Sequence, residues 1–118
     1  MILSTNIFAS SNRETINIYA NGSPNVRQAS RVNDYAWCEA RCYAVYPVNG
    51  TTDTYTTIRC RVMNNSQQAL TNEYKLVESN TSSTRMYFND NYIGSTLNFY
   101  FYGNSSNAAR ADVYYNGN

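Results

Sequence analysis

The chain has 118 residues, a net charge of +1 and a composition that is 42 % hydrophobic but only 14 % charged, below the roughly 25 % of an average soluble domain. That length makes one domain, 1–118, able to bury roughly two-thirds of its unfolded surface, and the near-neutral charge gives no long-range pull toward nucleic acid or an acidic membrane. Histidine is absent, which removes the commonest general base and the commonest zinc ligand together.

At the start, MILSTNIFAS lacks the charged leader and long apolar core of a signal peptide, so a mature domain given an initiator Met is expected. No stretch approaches the ~20 apolar residues of a membrane span. Residues 14–20 alternate with Ile16, Ile18 and Ala20 on one side, Asn21-Gly22-Ser23-Pro24 turns the chain, and residues 26–32 alternate again.

Residues 35–63 hold two runs of strict period-two alternation on either side of a turn rich in Asn, Gly and Thr, which predicts a hairpin with unlike faces. Ala36, Cys38, Ala40, Cys42 and Ala44 share one face with Ile58, Cys60 and Val62. Tyr35, Trp37, Glu39, Arg41, Tyr43 and Val45 share the other with Tyr55, Thr57, Arg59, Arg61 and Met63. The small set reads as core and the large set as a working surface.

After a polar break at 64–68, residues 72–78 and 84–88 read as short strands, with Met86 and Phe88 on one face of the second. The last pair predicts another hairpin. Leu97, Phe99 and Phe101 alternate with Asn98, Tyr100 and Tyr102, and after residues 103–107 Ala109, Ala111, Val113 and Tyr115 alternate with Arg110, Asp112 and Tyr114. Seven or eight short strands with frequent turns, and no helical spacing, predict an antiparallel β-sandwich in preference to a small barrel.

With the first hairpin centred near residue 51, Cys42 falls opposite Cys60, the arrangement a cross-strand disulfide needs, and a Cys42–Cys60 bond is expected. Cys38 and Cys42 lie roughly 13 Å apart along one strand and do not pair. Cys38 is then a buried small hydrophobe among alanines; a Cys38–Cys60 bond or an intermolecular link are the alternatives.

Reactive chemistry finds little support. A cysteine nucleophile has no histidine to activate it, and three cysteines on strands make no tetrahedral zinc site. Glu39, Asp53, Glu73, Glu78 and Asp90 are not paired by spacing as glycosidase acids would be. Asn89-Asp90-Asn91 offers one carboxylate, thin ligation for calcium, and reads as a turn. The Asn-X-Ser/Thr triplets beginning at Asn21, Asn49, Asn64, Asn80 and Asn104 also read as turn chemistry. No enzyme, metal or cofactor is expected.

What remains is the outer face of the first hairpin, where Arg41 is expected opposite Arg61 and Tyr43 opposite Arg59, with Trp37 farther along the row. Tyr, Trp and Arg dominate the energetic centres of protein interfaces. The expected binding residues are therefore Tyr35, Trp37, Arg41, Tyr43, Arg59 and Arg61. In the competing reading the same face stacks on a second sheet, with Trp37 and Tyr43 in the core. A protein partner comes ahead of a glycan, for which exposed rings and Asn side chains also serve; a bacteriocin-like toxin is the third possibility. Low charge, many Asn, Ser and Thr, and the expected disulfide place the domain outside the cell, secreted or on the surface.

From Thr57 onward the segments IRCRVMNNS, NEYKL, TRMYF and LNFYFYGN, followed by an alanine-rich strand, resemble small secreted β-sandwich proteins of Gram-positive gut bacteria. The resemblance covers about half the chain and implies an extracellular sandwich. Some such secreted bacterial proteins bind immunoglobulin variable domains, so it also implies a host-protein binder; it assigns no residue a role.

Overall fold

A computed structural model describes residues 8–48, 55–89 and 93–118. Among these residues eight strands form: β1 (Ser11–Ile18), β2 (Asn25–Ser30), β3 (Trp37–Pro47), β4 (Thr57–Met63), β5 (Tyr74–Val77), β6 (Thr84–Tyr87), β7 (Thr96–Tyr102) and β8 (Ala109–Asn116). They lie where the alternating runs predict them. They build two four-stranded antiparallel sheets, ordered β1-β8-β3-β6 and β2-β7-β4-β5, so the expected β-sandwich is the fold.

Both predicted hairpins are overturned. β3 and β4 lie in different sheets, and so do β7 and β8. Every connection except β4–β5 crosses from one sheet to the other, and the strand order is that of a jelly roll. Period-two alternation marks which side of a strand is apolar, and that signal is the same whether the next strand pairs beside it or faces it across the core. The expected turn, centred near residue 51, lies outside the described residues.

The core forms where the two inner faces meet. Cys38, Ala40 and Cys42 of β3, Ile16 and Ile18 of β1, and Ala111 and Val113 of β8 face Ile58, Cys60 and Val62 of β4, Leu76 of β5, and Leu97, Phe99 and Phe101 of β7. The expected fit of bulky residues on β7 against smaller ones on β8 is met across the sandwich rather than edge to edge. Tyr115 of β8 packs its ring 5.4 Å from that of Phe99 and 5.7 Å from that of Phe101. Close approach also fixes Gly117, where a Cβ would lie 2.4 Å from the Ser30 carbonyl oxygen.

One irregularity re-aims β3. Cys42 pairs with Val113 and Ala44 with Asp112, leaving Tyr43 as the extra residue of a β-bulge. The parity of the strand reverses there. Val45, expected outside, is buried, and Ala44, expected in the core, is half-exposed.

The expected Cys42–Cys60 disulfide is also corrected. All three cysteines are free thiols and buried. Cys42 and Cys60 sit on the inner faces of opposing sheets, which pack about 10 Å apart, beyond the ~4.4–6.8 Å between α-carbons that a disulfide spans. Cys38 takes the buried role expected for it. Burial pushes the Cys38 and Cys42 thiols up to about 12 and raises Cys60 as well, so none carries a reactive thiolate near neutral pH. A thiol reagent at neutral pH should label none of them in the native protein and all three in denaturant; two missing thiols in denaturant would restore a disulfide.

Side chains close the sheet edges, which would otherwise offer unpaired backbone to other chains. At one edge the Tyr87 amide donates to the Tyr74 hydroxyl at 3.1 Å and the Val45 amide to Glu78 at 2.9 Å. At the other, Asn25 donates to the Asn17 carbonyl at 2.8 Å and Arg27 to Glu14 at 3.1 Å, bridging β2 to β1. With the edges blocked, the outer faces of the sheets are the larger surfaces left for a partner.

Candidate functional site

The six expected binding residues do not form one surface. Tyr35, Trp37, Arg41 and Tyr43 belong to β3 and the loop before it, whereas Arg59 and Arg61 project from β4 on the other sheet. The expected pairs Arg41 with Arg61 and Tyr43 with Arg59 are therefore not made. In their place Arg41 is in register with Tyr114, Arg59 with Tyr102 and Lys75, and Arg61 with Tyr100.

On the outer face of β1-β8-β3-β6 an aromatic and guanidinium array is assembled from four strands. Trp37 is in register with Tyr87 and Glu39 with Arg85. The Tyr35 and Trp37 rings stack at 5.1 Å with planes 6° apart, and Tyr87 lies 6.1 Å from Trp37 at a tilt. Arg85 places its guanidinium 4.4 Å from the Trp37 ring centre. A second cluster centres on Tyr43, with Arg13 at 3.6 Å and Arg41 at 4.1 Å from its ring. Arg13 also holds Asp112 through two nitrogens, at 3.3 and 3.0 Å. Alternation along β3 already points Tyr43 outward next to them, and the bulge at Tyr43 reverses the parity only beyond it.

The charges on this face are unbalanced. Arg13, Arg41, Arg85 and Arg110 project from it against Glu39 and Asp112. Of these only Arg13 reaches a carboxylate within ion-pair distance among the described residues. The Arg41 Nε is buried and has no hydrogen-bond partner among the described residues. Cation–π contact with Tyr43 holds the head in place without satisfying that N–H.

Tyr35 lies outside any strand, yet its position is held. Arg31 donates to the Tyr35 carbonyl at 3.1 Å, Phe88 to the Ala36 carbonyl at 3.0 Å, and Asn118 to the Trp37 carbonyl at 3.1 Å. Tyr35 and Tyr87 remain 48 % and 52 % exposed, and Trp37 is half-buried by its neighbouring side chains rather than by a second sheet. That separates this face from the competing reading, in which Trp37 would be core.

The opposite outer face differs in kind. Arg59 pairs with Glu73 at 2.7 Å, Tyr102 donates its hydroxyl to the same carboxylate, and Arg61 lies 5.9 Å from the Tyr102 ring. These contacts hold Glu73 below the usual carboxylate range, the Tyr102 hydrogen bond foremost, and Tyr102 is raised by burial and by Glu73. Arg59 thus has its counter-charge within the chain. Farther along, Gln28 donates to Asn98 at 2.8 Å, and Asn98 donates to the Met63 carbonyl and to Asn65, an amide ladder that holds the β4–β5 loop.

Sequence reasoning did not place Arg13, Arg85, Tyr87 or Asp112 at the site. Alternation put Arg85 and Tyr87 opposite Met86 and so outside; nothing local said that β6 lies beside β3. Asp90 and Asn91 of the suggested calcium turn, and the Asn49 triplet, lie outside the described residues. No family model matches the chain, nor does any curated protein or solved structure, which leaves the chemistry of its faces as the guide to function.

Proposed function

We propose that this chain is a non-enzymatic binding domain that works outside the cell and docks a folded protein through the outer face of β1-β8-β3-β6, with acidic groups of the partner meeting its arginines. The observation that carries this is the set of guanidinium groups without carboxylate partners among the described residues, Arg41 and Arg85 foremost, interleaved with Tyr35, Trp37, Tyr43 and Tyr87 on one sheet. Arg and aromatic side chains are the groups that carry interface energy, and complementary charge sets register and encounter rate.

A protein is favoured over a glycan on this face because the rings spend their faces on one another and on arginine. A sugar platform needs an open ring face, and here Trp37 already contacts Tyr35 and Arg85. The absence of an enzymatic role is supported by how the acids are used: Glu14, Glu73 and Glu78 are each engaged by neighbouring donors. The extracellular assignment draws on the uncharged polar surface and the resemblance to secreted sandwich proteins, no longer on a disulfide. That resemblance makes a host protein, an immunoglobulin domain among them, the first partner to screen.

The test is a binding screen of the domain against serum proteins and a glycan array, repeated with variants on the two outer faces. Arg41→Ala should weaken capture of a protein partner about tenfold, roughly 1.4 kcal/mol, and should flatten the salt dependence of binding. Arg61→Ala, on the other sheet, should leave capture unchanged. Equal losses from both, or capture indifferent to Arg41, would remove this face from the function.

A further inference from the structure

The geometry points to a second, independent site: the groove between edge strands β1 and β2 binds a neutral saccharide. The groove has a volume of about 560 Å³ and is walled by Phe8 and Val26 above the buried Tyr115, with Asn12, Arg27 and Gln28 supplying polar groups. That volume falls within the range of ligand sites, roughly 300–1,000 Å³, which combine apolar walls with a few placed polar groups. It lies away from the Trp37 array, and nothing in the protein-docking reading uses it.

Among the described residues, the polar groups at this groove have capacity to spare. Arg27 spends its Nε on Glu14 at 3.1 Å and keeps its two terminal nitrogens as donors. Gln28 gives its amide hydrogen to Asn98 and keeps its carbonyl oxygen; Asn12 donates to the Ala9 carbonyl and likewise keeps its own. Donors and acceptors together suit hydroxyl groups, which are both, while Phe8, which is not buried, and the exposed Val26 suit the C–H face of a pyranose ring.

Charge balance and the edge bridges narrow the ligand. Arg27 is neutralised by Glu14, which also accepts the Tyr115 hydroxyl at 2.5 Å, so an anionic sugar finds no uncompensated cation here. A peptide adding as a strand would need the free backbone of β1 or β2. The Arg27–Glu14 and Asn25–Asn17 bridges tie those strands to each other and obstruct that addition. A ligand seated by side chains, uncharged and rich in hydroxyls, fits both conditions.

Amide-resolved NMR titration with the methyl glycosides of glucose, galactose, mannose and N-acetylglucosamine and their short oligomers tests this, with sulfated and sialylated sugars as anionic controls. A saturable shift of the Asn12, Arg27 and Gln28 resonances by at least one neutral sugar is expected. Val26→Trp, at an exposed position, should fill the groove and weaken binding by roughly tenfold or more, and Asn12→Ala should weaken it without touching the core. Trp37→Ala should leave it unchanged, so loss of the docking function and loss of this site are told apart. No saturable binding by any neutral sugar, binding that both groove variants leave intact, or tighter binding of the anionic controls would each overturn the proposal.

Discussion

Replacing Phe99 by alanine should remove about 3–5 kcal/mol of stability, the usual cost of deleting a fully buried aromatic ring and leaving its cavity. Phe99 is 0 % exposed at the centre of β7. It stacks beside Phe101 at 6.3 Å and meets Tyr115 of the other sheet at 5.4 Å. The loss therefore falls on the contact between layers, and against a typical reserve of about 5–15 kcal/mol it is a large share. The denaturation midpoint should drop with an unchanged slope against denaturant. Tyr100→Ala, one residue along and on the outer face, should cost under about 1 kcal/mol, the scale of a cross-strand surface pair. Equal costs at the two positions would mean that the alternation of β7 does not separate core from surface.

That alternation is why so much of the fold is legible in the chain. Ile16 and Ile18, Cys38 to Cys42, Ile58 to Val62, and Leu97 to Phe101 each announce a strand and its buried side, and the structure buries those sides. Pairing is another matter. Leu97, Phe99 and Phe101 beside Ala109, Ala111 and Val113 look the same in sequence whether the strands hydrogen-bond edge to edge or oppose each other between sheets. Only the connection lengths and the closing of the whole core decide it. The bulge at Tyr43 is equally silent, because Tyr43-Ala44-Val45 continues an unbroken alternation until one unpaired residue shifts it.

The site was half legible for the same reason. That Trp37, Arg41 and Tyr43 point outward follows from their spacing. That Arg59 and Arg61 do not accompany them follows from a sheet assignment that spacing does not contain. Arg13, Arg85 and Tyr87 join the array from β1 and β6, strands brought beside β8 and β3 by the jelly-roll order. Thus a local pattern gave the outward residues of β3, and the long-range topology chose the side chains that accompany them.

Trp37 is where the docking reading can be tested most severely. Trp37→Ala should weaken capture of the protein partner by about 2 kcal/mol or more, the mark of an interface hot spot. Its indole is the piece that Tyr35, Tyr87 and Arg85 all contact, so truncation leaves two rings and a cation without the surface that orders them. The cost to folding should be smaller, because those neighbours are themselves outward side chains and a cation–π contact at an exposed site is worth only about 0.5–1 kcal/mol. A melting temperature close to that of the wild type with affinity reduced some thirtyfold is the expected pair of results. Adding Arg85→Ala to Trp37→Ala should cost less than the sum of the separate changes, since both remove the same contact. A large fall in stability with unchanged affinity would instead make the indole part of the scaffold and move the docking centre toward Tyr43 and its two arginines.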